Sequence, residues 1–98
     1  MTRLRYAPAL ALDIERITEY LLAHGADAVD ERIDAIFDAL GILVQHPFIG
    51  RSAAQGRRDL VIGRDPEGYV ALYRYDELED TVVVIALRAQ REAGFLDR

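Results

Sequence analysis

The sequence predicts an α+β domain in the order β-α-α-β-β-β, an antiparallel sheet carrying an antiparallel helix hairpin on one face. Three observations predict it. Two apolar stripes at helical spacing stand next to each other in the first half of the chain, and three extended segments follow them. The stretch from Gly68 to Arg91 has the most concentrated β-forming sequence, and the acidic loop Asp76 to Asp80 divides it into a hairpin. Helices grouped ahead of a strand meander give a layered α+β arrangement, whereas strict alternation would give a parallel sheet.

Thr2 to Tyr6 alternates Leu4 and Tyr6 with Arg3 and Arg5, a short strand that stops at Pro8. Proline is tolerated in a first helical turn, so helix one runs from Pro8 to about His24, with Leu10, Ile14, Ile17 and Leu21 as its buried stripe. Asp13, Glu15, Arg16 and Glu19 fall on other faces. Gly25 supplies a left-handed stop, Asp27 is the expected N-cap of helix two, and Asp30 and Glu31 favour its dipole. Helix two buries Val29, Ile33, Ile36, Leu40 and Leu43, broadened by Phe37 and Val44. It ends at His46-Pro47, because the residue before a proline is pushed out of helical geometry.

Pro47 to Gly56 reads as a loop, Arg57 to Gly63 as a strand with Leu60 and Ile62 on one face, and Asp65-Pro66-Glu67-Gly68 as a turn. The next strand alternates Tyr69, Ala71, Tyr73 and Tyr75 with Val70, Leu72 and Arg74. Val82 to Leu87 is apolar on both faces, as expected of an interior strand with helices on one side and a partner or an exposed patch on the other. The expected helix-facing core is Leu60, Leu72, Val83 and Ile85 with Ile14, Ile17, Ile33, Ile36 and Leu40, the face of the last strand being left open.

Length and charge narrow the function. The 98 residues form one domain, 1–98, without cysteine, so disulfides and thiolate metal sites are excluded. No apolar run reaches the length of a membrane span, and the expected location is the cytoplasm. The net charge of -5 argues against non-specific nucleic-acid binding, yet Arg51, Arg57, Arg58 and Arg64 form a basic island against Asp59 alone. All twelve basic residues are arginine.

No recognised catalytic motif is present. His24 and His46 lie at the ends of different helices, so no metal site and no cofactor is expected, and Ser52, the only serine, has no histidine on the strands to serve it. GRSAAQGRR lacks the features of a phosphate loop. What remains is Arg57, Arg58, Arg74, Arg88 and Arg91 with Tyr73. If Arg57, Arg74 and Arg88 converge on one sheet face, their guanidinium forks suit a phosphate or a carboxylate.

The helix hairpin followed by HPFIGR (His46 to Arg51), GRRDL (Gly56 to Leu60), GYVALYRY (Gly68 to Tyr75), VVVIAL (Val82 to Leu87) and RAQREAGF (Arg88 to Phe95) resembles the ParE/RelE superfamily of type II toxin-antitoxin toxins over nearly the whole chain. The resemblance implies the same fold and a cognate antitoxin, within a possible higher-order toxin-antitoxin complex. Its ParE-like branch implies DNA gyrase as target, with Arg51, Arg57, Arg58, Arg74, Arg88 and Arg91 as partner-binding residues. Its RelE-like branch implies a ribosome-dependent mRNA endonuclease in which Arg57, Arg58, Arg74, Arg91 and Tyr73 are the catalytic candidates, and a third reading is an inactive homologue kept to bind antitoxin. Ala89 stands where many relatives have histidine, lysine is absent and the chain is acidic. These departures favour the ParE-like branch and a binding function over an enzyme. An acidic, apolar antitoxin segment is expected to cover the open apolar face and approach the basic island.

Overall fold

A computed structural model describes residues 1–63 and 68–90. Five strands form one sheet in the order β1-β5-β4-β3-β2, where β1 is Arg3–Tyr6, β2 Arg51–Ser52, β3 Arg57–Ile62, β4 Tyr69–Asp76 and β5 Thr81–Ala89. The helices α1, Pro8–Ala23, and α2, Val29–Leu40, form the expected hairpin, and a short α3, Ile42–Gln45, leads out of it. The sheet is antiparallel except at one edge, where β1 pairs parallel with β5 from Arg3↔Thr81 to Tyr6↔Val84. That edge exists because α1 carries the chain away from β1, and only the last strand returns beside it. The short β2, which pairs Arg51 with Asp59 and Ser52 with Arg58, lies inside the stretch expected to be loop.

The hairpin connection follows from local chemistry. Gly25 sits at φ +68°, and the amides of Gly25 and Ala26 bond back to the carbonyls of Leu22 and Leu21, the paired bonds by which a left-handed residue ends a helix. The expected Asp27 cap is not formed. Ala28 occupies the cap position at φ 54° without a side-chain cap, while the Asp27 carbonyl accepts from Arg32 Nε. Helix two also stops earlier than its apolar stripe: Gly41 separates α2 from α3, and Leu43 is buried from the shorter element.

The sheet buries the face opposite to the one expected for Leu72, Val83 and Ile85. Ala71, Tyr73, Val82, Val84 and Leu87 are fully buried against Leu10, Ile17, Ile36 and Leu40, with Leu60 packed at the margin as expected. Val82 and Val84 face the helices ahead of a β-bulge, and the bulge then brings Leu87 to the same buried face. Leu72 pairs with Ala86 but Tyr73 pairs with Val84, so Ile85 is the extra residue and the alternation of β5 reverses there. Ala71 leaves room for the helices, and Tyr73 reaches past the sheet to hydrogen-bond partners that Leu72 would not have used.

Candidate functional site

The face of the sheet away from the helices is set by the register of three strands. Arg57 lies opposite Arg74, Asp59 opposite Leu72, Val61 opposite Val70, and Val70 in turn opposite Arg88. Arg51 lies opposite Asp59 on the other side. Period-two alternation therefore places Arg51, Arg57, Arg74 and Arg88 on one face with an apolar floor of Val70, Leu72 and Ala86. The floor, together with Arg51, Arg57, Asp59, Arg88 and the turn Ala53 to Gln55, bounds a depression of about 340 Å³. Arg74 stands exposed beside it.

The arginines nevertheless have different assignments. Arg88 is drawn around the sheet edge to Asp13, whose Oδ1 accepts from Arg88 Nη1 at 2.5 Å and from Arg16 Nη1 at 2.9 Å. The other oxygen of Asp13 accepts the Leu87 amide at 2.9 Å. The place is significant: β1 ends its pairing with β5 at Val84, so beyond it no strand among the described residues covers that edge of β5, and the carboxylate takes the Leu87 amide there. Burial on its own pushes the Asp13 carboxyl up, but the Leu87 amide and the two arginines outweigh it and hold it below the ordinary aspartate value. The expectation that Asp13 lies off the buried face is corrected, since it is only 6 % exposed. The signal was present in the spacing Leu10, Asp13, Ile17, Leu21, an acid inside the buried stripe of α1.

Arg58 and Tyr73 belong to the other side of the sheet. Arg58 Nη1 donates to the carbonyl oxygens of Gly50 at 2.8 Å and Phe48 at 3.2 Å, and the guanidinium lies 5.2 Å from the centre of the Phe48 ring. Tyr73 is wholly buried, its hydroxyl donating to the Pro47 carbonyl at 2.9 Å and accepting the Gly50 amide at 2.8 Å. Both side chains fasten the Pro47-Phe48-Ile49-Gly50 segment to the sheet. A Cβ at Gly50 would stand 2.7 Å from the Tyr73 ring and 2.8 Å from the Asp59 carbonyl, which is why the segment needs glycine there. The Tyr73 hydroxyl and the Arg58 guanidinium are thus both bonded to the Pro47 to Gly50 segment. Arg64 and Arg91 lie outside the described residues, as do positions 65–67 of the expected turn.

At the far end of the hairpin, Asp80 Oδ1 accepts from Thr2 Oγ1 and Tyr75 Oη, both at 2.6 Å, tying the β4–β5 turn to β1. The Thr2 bond first, and then the Tyr75 bond, hold the Asp80 carboxyl below its ordinary value. The same contact with Asp80 raises Tyr75. Among the described residues no cluster of His, Asp and Glu suits a metal ion, and no helix is long and apolar enough to cross a membrane.

The sequence matches the family described as ParE toxin of type II toxin-antitoxin system, parDE, over residues 4–94. The chain belongs to the ParE toxin family. Its membership places it in the ParE/RelE superfamily of type II toxins and implies a cognate antitoxin as partner. The ParE fold is shared with a solved structure titled as the chromosomal ParDE TA system from P. aeruginosa, at 19% identity and a TM-score of 0.71, covering 91% of this chain and 96% of that one. The isolated E. coli RelE toxin also shares it, at 13% identity and a TM-score of 0.59, covering 100% of this chain and 98% of that chain. No curated protein sequence matches significantly. On this ParE fold, the HPFIGR segment is the fastened connection between the helices and the sheet, and the arginine-bearing face is the one that the helices leave open.

Proposed function

We propose that this ParE-family chain is a cytoplasmic toxin that acts by binding DNA gyrase, stabilising a gyrase–DNA state, and that its cognate antitoxin neutralises it, a pairing suited to plasmid stabilisation. The observation that carries this reading is the division of the described candidates, with Arg57 and Arg74 on the open face and Tyr73 and Arg58 on the other side of the sheet. Cleavage of RNA through its 2′-hydroxyl needs a group to take that proton and a group to supply one to the leaving oxygen. Arginine does not titrate, Tyr73 is buried and Arg58 is held by carbonyls. Among the described side chains lining the depression, Asp59 is the one carboxylate, and no second acid–base group stands beside it to protonate a leaving oxygen. Arginines on an apolar floor, without an acid–base pair, suit recognition better than bond cleavage.

The test incubates purified chain with gyrase and supercoiled DNA, and separately with translating ribosomes and mRNA, each over a concentration series. The expected result is accumulation of cleaved gyrase–DNA complexes without cuts in the mRNA. An interface residue lost by Arg74→Ala costs about 1–4 kcal/mol, so higher protein concentration restores the effect. Codon-positioned mRNA cleavage abolished by Arg74→Ala at every concentration overturns the reading in favour of the endonuclease. Activity in neither tube assigns the chain to the inactive, antitoxin-binding class.

A further inference from the structure

Tyr73, Arg58 and the close approach at Gly50 fasten the Pro47 to Gly50 segment to the sheet, yet its two central side chains are left in solvent. Phe48 is 52 % exposed and Ile49 51 %. The hydrophobic core closes around Leu40, Leu43, Tyr73 and Val82 without either of them. The Phe48 ring is nevertheless oriented, meeting Tyr75 edge-on with centres 5.2 Å apart and carrying the Arg58 guanidinium at 5.2 Å. An apolar side chain ordered in advance loses little freedom when it docks, which is the property of an interface anchor.

Tyr75 joins this patch to the β4–β5 turn. Its contact with Asp80 raises the phenol first, and Glu77 adds a weaker push in the same direction, so an acid of the turn lies within electrostatic reach of the ring that Phe48 meets. The turn reads Asp76-Glu77-Leu78-Glu79-Asp80. Asp80 is spent on Thr2 and Tyr75, and Asp76 accepts the Glu79 amide. Glu77 and Glu79 are exposed, with no ion pair among the described residues, and Leu78 between them is 98 % exposed.

We propose that Phe48, Ile49 and Leu78, flanked by Glu77 and Glu79, are the anchors of a second docking surface, and that its partner is a basic, apolar surface of the gyrase protein itself. This rests on the reading of the chain as a gyrase-binding toxin. Charge selects the partner. A protein that holds DNA presents arginine and lysine to the phosphates, and an acidic turn on a chain of net charge -5 is drawn to such a surface. The same charge repels both the DNA and an acidic antitoxin segment from this place. Phe48 and Arg58 stand on the other side of the sheet from Arg57 and Arg74, so the surface is separate from the arginine-bearing face.

The experiment measures binding of the full chain to purified gyrase without DNA over a series of salt concentrations, and trapping of cleaved gyrase–DNA complexes in parallel. Phe48→Ser and Ile49→Ser should each weaken binding by about tenfold or more and move trapping to correspondingly higher protein concentration. Glu77→Lys combined with Glu79→Lys should slow association and flatten its dependence on salt. Leu22→Ser, at a leucine of α1 that is 63 % exposed, should leave both readouts unchanged. The paired glutamate substitution lies on an exposed turn, so it tests the surface even where Phe48→Ser fails to fold. Parent binding that none of the Phe48, Ile49, Glu77 and Glu79 substitutions weakens overturns this surface and leaves gyrase as the target. A parent chain that neither binds gyrase nor traps its DNA complex overturns the target and this surface with it.

Discussion

The two faces of the sheet come from the same three strands and could hardly be more different. Towards the helices, Ala71, Tyr73, Val82, Val84 and Leu87 are all 0 % exposed, and each polar group there has a partner, as Tyr73 does in Pro47 and Gly50. Away from the helices, Val61 is 45 % exposed and two arginines face each other without neutralisation. The covered face obeys the rules that stabilise a fold, burying apolar area and satisfying hydrogen bonds. The open face breaks them by juxtaposing like charges. Departures of this kind are expected where a surface serves binding instead of folding. Asp13 stands at the boundary, since one carboxylate takes the Leu87 amide of β5 and pairs with Arg88 of the open face.

Substitutions should separate the two faces by magnitude. The largest effect is expected in the covered core: Leu40→Ala, at a fully buried position, should lower unfolding free energy by about 2–5 kcal/mol in denaturant titration. An unchanged midpoint would mean that the helix hairpin does not pack as described. Next comes the fastened segment, where Gly50→Ala forces a methyl against Tyr73 and the Asp59 carbonyl and should cost about 1–3 kcal/mol. Tyr73→Phe leaves the Gly50 amide and Pro47 carbonyl without their shared partner and should cost about 1–3 kcal/mol, with toxicity preserved wherever the protein remains folded. Loss of toxicity in a fully folded Tyr73→Phe protein would return the phenol to the list of functional groups.

The boundary residue is read through pH. Because Asp13 is held below its ordinary value in the folded chain, the unfolded chain takes up the proton more readily. Its contribution is complete above the ordinary aspartate range near about pH 4 and is lost as pH falls through that range and below. Asp13→Asn should therefore be less stable than the parent at neutral pH, and the gap should close on acidification. A gap that stays constant down to acid pH would show that Asp13 acts through shape and not charge. The smallest effect belongs to the open face. Arg57→Ala and Arg74→Ala should change stability by no more than about 0.5 kcal/mol, tending upward as the repulsion between them is relieved. A marked loss of stability in either would mean that these arginines support the fold after all.

The sequence alone determined what depends on short-range pattern. Helical spacing in Leu10 to Leu21 and Val29 to Leu40, proline at the start of α1, glycine at its end and alternation in β4 all act through neighbours a few residues away, and each element formed where that pattern lay. Convergence of Arg57, Arg74 and Arg88 on one face stood only as a condition in the sequence; the register makes Arg57 and Arg74 direct cross-strand partners, while Arg88 pairs with Asp13. Tertiary structure decided the rest. The bulge at Ile85 brings Leu87 to the face of Val82 and Val84, and no local signal distinguishes the two faces when Val82 to Leu87 is apolar on both. The pairing of β5 with β1 ends before Leu87, and only the contact with that amide, 74 residues away in sequence, turns Asp13 from a surface acid into a buried clamp. Tyr73 and Arg58 looked like chemistry because side-chain type is local, whereas their partners in the Pro47 to Gly50 segment become visible only once the chain has folded back on itself.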